Sequence, residues 1–388
     1  MTHPALPALA DHPVLPTELH AALAQALATV RANVADFTHV FPDDTTRGGR
    51  YGPRARNIGW TTGFSTGMLW LAFEHTGDPA LREAAEAHVA SFEERLAARA
   101  DVAHHDLGFL YTLSCVSAWR LTGSERARAA ALAAAELLHA RFLPRAGIIQ
   151  AWGDLADPQQ RGRMIIDCLM NLPLLHWASR ETGDARFREA AVTHAGQAAR
   201  YLVRADDSTH HTFFFDPETG EPRYGRTHQG HGDDSTWARG QAWGVYGFAL
   251  NATLTGDTAL LAVACRVADH YLAGLPADLV PYWDFHFREP SDEPRDSSAA
   301  AITACGLLVL AEGLPEDQGG RYRECGRAML GSLARHYAPG PEDGSNALLL
   351  HGVYHRLENV GVDEGTLWGD YFYLEALTRA TRPWTPYW

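Results

Sequence analysis

Lysine is absent from this 388-residue chain, so its 33 Lys-or-Arg positions are all arginine. The absence excludes Schiff-base chemistry, which needs a lysine amine. The chain also has fewer positive than negative residues, 33 against 47, and its net charge of −14 argues against nucleic acid as a partner. No GxGxxG motif follows a strand pattern and no P-loop is present, so we expect no nucleotide cofactor.

Signals for a metal, a membrane or an oxidising compartment are equally scarce. Twenty histidines are present, but HExxH and a complete Cys/His ligand set are missing, and the pair His351 and His355 lies in an expected loop. We therefore expect neither a metal nor another cofactor. No apolar run approaches the length of a membrane span, and residues 1–16 lack the basic start and apolar core of a secretory signal. Five cysteines without a CxxC pair indicate reduced thiols, so we expect a cytoplasmic protein, whose oligomeric state stays open.

Six similar segments follow one another along the chain, each with a polar or aromatic start and then an apolar run rich in small residues. They begin at Trp60, His105, Asp167, Trp237, Ser297 and Trp368. The first four end in Thr-Gly followed by Asp or Ser. Glycine past a helix end closes the last turn, and the residue after it is a good N-cap for the next helix. Each junction therefore predicts a helix, a tight turn and a second helix.

The predicted helices are of two alternating kinds. An apolar helix must be buried on all sides, whereas an amphipathic helix covers a core. Six of each predict an all-α (α/α)6 barrel of six inner and six outer helices. An open α-solenoid is the alternative, but the Thr-Gly junctions lie 46, 60 and 73 residues apart, which is irregular for a solenoid. We expect a single barrel domain over residues 1–388, with residues 1–15 as an extended N-terminal arm, and a binding cleft in the unequal loops before the inner helices.

Two aspartates stand where inner helices are expected to begin, and both have apolar neighbours. Asp106 lies in HHDLGFLY and Asp167 in MIIDCLMNLPLL. A carboxyl group in apolar surroundings has a raised pKa and can act as a general acid near neutral pH. Each aspartate could instead be a helix N-cap, and the residues alone leave both interpretations open.

Arg239 and Trp243 are four residues apart in STWARGQAW, so they share one face of an expected inner helix. A guanidinium binds a carboxylate through two parallel hydrogen bonds, and an indole can stack against the apolar face of a sugar. The alternative is that Trp243 belongs to the core and that Arg239 pairs with Asp233 or Asp234.

Several long motifs, in the same order, resemble the unsaturated glucuronyl hydrolases, glycoside hydrolase family 88. The resemblance extends from about Trp60 to the C-terminus and rests on HDLGFLY, IIDCLMNLPLL, FFFDPETGEP through HQGHGDDSTWARGQAWGVYGF, and GVDEGTLWGDYFYLEAL. That family has an (α/α)6 barrel, in agreement with the repeat count. The resemblance implies a glycosidase of glycosaminoglycan degradation. It would release the terminal 4,5-unsaturated glucuronic acid from lyase-generated oligosaccharides by hydrating the C4=C5 bond.

The resemblance also implies roles for particular residues. It makes Asp167 the general acid/base and Asp106 a second essential carboxylate that holds sugar hydroxyls and tunes Asp167. Arg239 or His211 would neutralise the carboxylate on C5. The substrate-binding residues that it implies are Trp60, His105, Trp152, His211, Gln229, Arg239 and Trp243, with His210 as the alternative within the histidine doublet.

One stretch departs from the family's pattern. Some members carry Ser-x-x-Ser-x-Lys near the C-terminus, where it receives sulfate, whereas this chain has GVYHRL at residues 352–357. We therefore expect a preference for unsulfated substrates. Three alternative functions stay open: an unsaturated rhamnogalacturonyl hydrolase, a sugar 2-epimerase that works through histidine pairs, and a carbohydrate-binding barrel without catalysis.

Overall fold

The computed structural model describes residues 12–157, 160–340 and 342–388. Its α-helices, in chain order, are α1 (Pro16–Phe37), α2 (Thr62–Thr76), α3 (Pro79–Ala97), α4 (Leu107–Tyr111), α5 (Ser117–Thr122), α6 (Glu125–His139), α7 (Leu172–Thr182), α8 (Ala185–Tyr201), α9 (Ala238–Thr255), α10 (Thr258–Ala273), α11 (Ser297–Gly313), α12 (Glu316–His336) and α13 (Leu367–Thr381). A π-helical turn at Thr112–Val116 joins α4 to α5, and a 3-10 turn at Ile166–Met170 precedes α7.

The inner helices form a closed ring. Helix α2 contacts α4, α4 contacts α7, and the 3-10 turn before α7 packs against α9. Helix α9 then packs against α11, α11 against α13, and α13 against α2, which completes the circle. Helices α1, α3, α6, α8, α10 and α12 lie outside this ring. The closure confirms the predicted (α/α)6 barrel and excludes the open solenoid.

The Thr-Gly junctions have the predicted geometry. The glycine at the end of each of the first four inner segments is left-handed, with φ of 67° at Gly77, 69° at Gly123, 77° at Gly183 and 72° at Gly256. The next side chain then accepts a backbone N–H at the start of the outer helix, at distances of 2.8–3.3 Å. These are the Asp78, Ser124, Asp184 and Asp257 side chains.

Small residues let the inner helices approach each other closely. Residues 238–252 of α9 and 297–311 of α11 are buried without interruption. A Cβ atom added at Gly306 would lie 2.8 Å from the Cα of Tyr246, so this position tolerates only glycine without a shift of the helices. Each fully buried large apolar side chain contributes about 1.5–3 kcal/mol, so the ring is a rigid base for the loops above it.

Short strands occupy the loops between the helices. They are β1 (Phe41–Pro42), β2 (Pro53–Arg54), β3 (Phe142–Leu143), β4 (Ile148–Ile149), β5 (Arg163–Ile165), β6 (Thr212–Phe215), β7 (Pro222–Arg226), β8 (Gly352–His355) and β9 (Val360–Glu364). Strands β5, β6 and β7 form an antiparallel sheet in that order, and the other strands form antiparallel pairs.

The loop expected around His351 and His355 is confirmed at His351, which precedes β8 with a φ of 62°, but is wrong at His355, because β8 and β9 form a hairpin. The Asn-Val-Gly signal marks the start of β9 after the turn, where Asn359 has a φ of 54°, and does not exclude strands on either side. Residues 1–11 of the expected N-terminal arm lie outside the described residues, and 12–15 lead without helix or strand into α1. Among the helices described, none has the length and apolar character needed to cross a bilayer.

Candidate active site

A cleft opens at the end of the barrel where the inner helices begin. It encloses about 730 Å³, part of which is open to solvent. It is lined by Trp60, His105, Asp106, Trp152, Ile165, Asp167, His211, His228, Gln229, Trp237, Arg239, Trp243, Tyr354 and His355. The structure thus brings together every site residue expected from the sequence except His210.

His210 lies outside the cleft. A Cβ atom added at Gly225 of β7 would collide with the imidazole of His210, which also contacts the ring of Phe213. Adjacent residues of an extended chain point to opposite sides, so His211 enters the cleft and His210 lies behind the sheet. Of the two histidines, the structure therefore places His211 in the cleft, and substrate binding by His211 stays a prediction.

The two aspartates stand at the mouths of neighbouring inner helices. Asp106 precedes α4 but makes no side-chain capping bond, and Asp167 lies in the 3-10 turn before α7. The Oδ1 atom of Asp167 is buried and has no hydrogen-bond partner among the described residues. Asp106 is therefore not a side-chain cap of α4, and the buried Oδ1 of Asp167, which lacks a hydrogen bond, indicates a place for a ligand.

His105 lies between the two carboxylates. Its Nε2 atom is 3.4 Å from Oδ1 of Asp106 and 3.5 Å from Oδ1 of Asp167. Its backbone N–H donates to the carbonyl of Ala151 at 2.8 Å, which fixes the segment. Burial, opposed by the charge of Asp106, lowers the pKa of His105 to about 4. A pKa this low indicates a neutral imidazole between the two carboxylates at neutral pH.

The environment moves the pKa values of the two aspartates apart. Burial and the negative charge of Asp106 raise the pKa of Asp167 well above its usual range, against the opposing effect of Arg239. Burial also acts to raise the pKa of Asp106, but His105 and a 3.1 Å contact from His104 outweigh it, and the pKa is lowered. When the pair holds one proton, that proton therefore lies on Asp167. A protonated carboxyl group beside an ionised carboxylate is the arrangement that a general acid needs.

Asn171 was missed by the sequence reasoning although it connects the two aspartate segments. Its Oδ1 accepts the backbone N–H of Phe109 at 2.8 Å, and its Nδ2 donates to the carbonyl of Asp167 at 3.3 Å. Gly108 allows this approach, since a Cβ atom there would lie 2.3 Å from the Cα of Asn171. The distance between the carboxyl groups is therefore set by a buried amide.

Arg239 is buried and bound to the β8–β9 hairpin. Its two terminal amino groups donate to the carbonyls of Val353 and Tyr354, the second at 2.8 Å. Its Nη1 lies 3.6 Å from Oδ2 of Asp296, the N-cap of α11. The guanidinium lies 4.6 Å from the ring centroid of Trp237 and 4.8 Å from that of Trp368. The predicted alternative partners, Asp233 and Asp234, are therefore wrong.

Tyr354 of the hairpin is a second feature missed from the sequence. Its hydroxyl accepts the Nε1–H of Trp60 at 3.1 Å, and its carbonyl accepts the Nε2 amide of Gln229 at 3.1 Å. Both Tyr354 and the adjacent His355 line the cleft from β8, and this contribution was hidden once the segment was assigned to a loop.

His211 is neutral and has a defined tautomer. Its Nδ1 accepts the backbone N–H groups of His228 at 3.1 Å and Gln229 at 3.3 Å, so the proton lies on Nε2. Burial lowers the pKa of His211 well below its usual value, and the electrostatic effects of His228 and Arg239 lower it further. It can donate a hydrogen bond to a ligand, but it does not neutralise a carboxylate as the sequence reasoning allowed.

The residues that could hold a metal coincide with this centre. Ligand atoms of His105, Asp106 and Asp167 lie within 4.8 Å of one another, in the one such group found among the described residues. Three ligands with an open position resemble a catalytic metal site in number. The absence of a metal requirement therefore stays a prediction that needs a direct test.

Comparisons with known proteins agree with this geometry. The profile of Glycosyl Hydrolase Family 88 matches residues 33–314. The chain is 47% identical over 369 residues to an unsaturated glucuronyl hydrolase of Bacillus sp. (strain GL1), across 95% of this chain and 98% of that protein. It is 44% identical to an unsaturated chondroitin disaccharide hydrolase of Streptococcus pyogenes serotype M1, across 95% and 92%. The crystal structure of the unsaturated glucuronyl hydrolase from Streptococcus agalactiae matches with a TM-score of 0.93 at 42% identity, over 97% of this chain and 94% of that chain. The chain belongs to glycosyl hydrolase family 88.

Proposed function

We propose that this glycoside hydrolase releases terminal 4,5-unsaturated glucuronic acid from oligosaccharides that polysaccharide lyases produce. The observation that carries the proposal is the pair Asp106 and Asp167, whose pKa values are moved apart at the base of a tryptophan-walled cleft. The names of its relatives, unsaturated glucuronyl hydrolase and unsaturated chondroitin disaccharide hydrolase, support this substrate class.

The reaction starts with protonation of a vinyl ether. The C4=C5 bond of the unsaturated sugar is conjugated with its ring oxygen, so a proton added at C4 leaves oxocarbenium-like positive charge at C5. Asp167 supplies this proton, since burial and the charge of Asp106 raise its pKa well above that of an ordinary aspartate. Asp106 stays ionised beside it and stabilises the developing positive charge.

Water then completes the hydration. The ionised Asp167 accepts a proton from a water molecule as that water bonds to C5, which restores the acid and gives a hemiketal. The hemiketal opens to a ketone at C5, and the hemiacetal left at C1 expels the aglycone with its own oxygen. The anomeric carbon is never attacked, so the carboxylate-spacing rule for retaining and inverting glycosidases does not apply.

The other lining residues bind and orient the sugar. The indoles of Trp60, Trp152 and Trp243 offer apolar faces, and the Nε2–H of His211 is a hydrogen-bond donor. Arg239 is the cation among the residues that line the described cleft, and its positive potential favours the uronate. Its amino groups are already bound to the hairpin, so Arg239 attracts the carboxylate chiefly as a charge and holds Tyr354 in place.

The test is incubation with an unsaturated disaccharide from a lyase digest, with the ultraviolet absorbance of the double bond followed over time. We expect the absorbance to fall as free aglycone sugar appears, and we expect the Asp167→Asn variant to bind the disaccharide without turnover. A stable absorbance with tight disaccharide binding by the wild type would support the non-catalytic carbohydrate-binding alternative and contradict the proposal.

The cellular setting also stays a proposal. We propose a cytoplasmic enzyme that receives oligosaccharides after a lyase has acted on the polymer. Its five cysteines are free, and four of them, Cys115, Cys168, Cys305 and Cys325, are buried, which is typical of proteins kept in a reducing compartment. One barrel domain is proposed for the chain as a whole.

A further inference from the structure

The sheet formed by β5, β6 and β7 continues the wall of the cleft outward. Its register pairs Ile165 with Thr212 and Thr212 with Arg226, and Ile165 lines the cleft. The next row with the same orientation is formed by Arg163, Phe214 and Tyr224. Side chains two residues apart on a strand share a face, so the two rows lie on one surface that begins at Ile165.

This surface, which we call the outer wall, carries exposed aromatic rings. Tyr224 is 52% exposed and stacks on Phe214, with ring centroids 5.1 Å apart and an interplanar angle of 27°. The guanidinium of Arg163 lies between the rings of Phe214 and Trp152, 5.7 Å and 4.8 Å from their centroids. Trp152 also lines the cleft. The rings of Trp152, Phe214 and Tyr224, with the arginine guanidinium between the first two, therefore form a continuous row that leads out of the cleft.

The outer wall also carries two arginines, Arg163 and Arg226, that have no described carboxylate partner although the chain as a whole is acidic. Most of its arginines with a described polar contact pair with carboxylates, for example Arg223 with Asp216 and Arg161 with Glu218. Neither Arg163 nor Arg226 has an ion pair or a side-chain hydrogen bond among the described residues, and the Nε of Arg163 is buried without a partner. Arg163 lies over Trp152, which lines the cleft, and Arg226 is paired in register with Thr212 of the row that begins at Ile165, so both residues belong to the cleft side of the sheet.

We propose that the outer wall binds the later, acidic sugars of an oligosaccharide whose unsaturated end occupies the cleft. Tyr224 and Phe214 offer aromatic surface to a sugar ring, and Arg163 and Arg226 receive the carboxylate of a uronic acid in the second aglycone position. The inference rests on the proposed function and deepens it, since it makes longer lyase products better substrates than disaccharides.

A second arginine of the same strand provides a matched control. Arg223 and Arg226 both belong to β7 and both are exposed. Arg223 stands at the register shift of the strand and is paired with Asp216, whereas Arg226 has no described carboxylate partner. Arg223→Gln and Arg226→Gln therefore remove the same charge from one strand, in the first case from an ion pair and in the second from an unpaired guanidinium.

The experiment compares kcat/KM for an unsaturated, unsulfated tetrasaccharide with kcat/KM for the disaccharide from the same lyase digest. The wild-type ratio is expected to be well above one. Tyr224→Ala and Arg226→Gln are each expected to reduce it about 3- to 10-fold, the worth of one net contact. Tyr224→Phe retains the ring and is expected to retain the ratio, and Arg223→Gln is expected to behave as wild type.

A wild-type ratio near one, or a ratio that falls equally in Arg223→Gln and Arg226→Gln, would overturn the inference while leaving disaccharide hydrolysis intact. Absence of turnover for both substrates would instead overturn the proposed function, and the inference with it. Thermal unfolding of each variant verifies that the substitution has not disrupted the fold.

Discussion

Replacement of Arg239 by lysine probes the contact between the barrel and the β8–β9 hairpin. The guanidinium donates to two carbonyls, faces Asp296 at 3.6 Å and lies between two indoles, and its residue is 1% exposed. A lysine ammonium is a single point and cannot span both carbonyls of Val353 and Tyr354. One charge-assisted hydrogen bond is worth about 1.5–3 kcal/mol, and the lost stacking adds about 0.5–2 kcal/mol.

We therefore expect the Arg239→Lys variant to lose roughly 2–5 kcal/mol of unfolding free energy. For 388 residues this corresponds to a fall in Tm of roughly 2–6 °C. The hairpin carbonyl that loses its donor belongs to the segment that places Tyr354 over the cleft. A displacement near 1 Å there lowers kcat/KM by about 10- to 100-fold.

The matched control is Arg379→Lys. Arg379 is buried at the other end of the barrel, where its Nε donates to Glu375 at 2.9 Å and its Nη2 to the Tyr246 hydroxyl at 2.9 Å. It should lose similar stability with kcat/KM within about twofold of wild type. The assays are thermal unfolding and initial rates on the unsaturated disaccharide. Equal kinetic losses in both variants, or near-wild-type kinetics for Arg239→Lys, would refute the claim that Arg239 positions the hairpin.

Four further expectations concern the reacting centre and the substrate. Asp167→Asn should lower kcat about 10²- to 10⁴-fold with the fold retained, and residual activity above about a hundredth would count against its role. In the wild type, kcat/KM should fall as pH rises through the raised pKa of Asp167, since the acid must carry its proton, and as pH falls through the lowered pKa of Asp106. A chelator should leave activity unchanged, whereas loss that a divalent ion restores would assign a metal to the group containing His105. Unsulfated chondroitin disaccharides should be turned over faster than sulfated ones. Arg356, the arginine in the stretch where some relatives receive sulfate, is already paired with Glu293 at 2.9 Å and 3.3 Å. Faster turnover of a sulfated disaccharide would contradict this.

The barrel was predictable because its signals are local. A glycine that closes one helix and an aspartate that caps the next act within a few residues, as Gly256 and Asp257 show. The alternation of apolar and amphipathic helices likewise depends on spacing along the chain. Such patterns are visible in the amino-acid order before any tertiary contact is known.

Most residues of the site could be predicted from the sequence, but the contacts between them could not. The side chain that faces Arg239 is Asp296, 57 positions away, and not the neighbouring Asp233 or Asp234. Asn171 bonds to Phe109 across 62 positions. The histidine doublet could not be resolved either, since its orientation depends on how the residues before β6 meet the sheet. Each of these contacts is set by the ring closure, which local patterns do not encode.

The most direct test of the central claim is the destination of solvent atoms in the product. Turnover of the unsaturated disaccharide in heavy water should place deuterium at C4, and turnover in ¹⁸O-labelled water should place the label at C5. The released aglycone should keep its own, unlabelled oxygen. Label at C1 together with an unlabelled C5 would mean ordinary glycosidic hydrolysis and would contradict hydration of the double bond by Asp167.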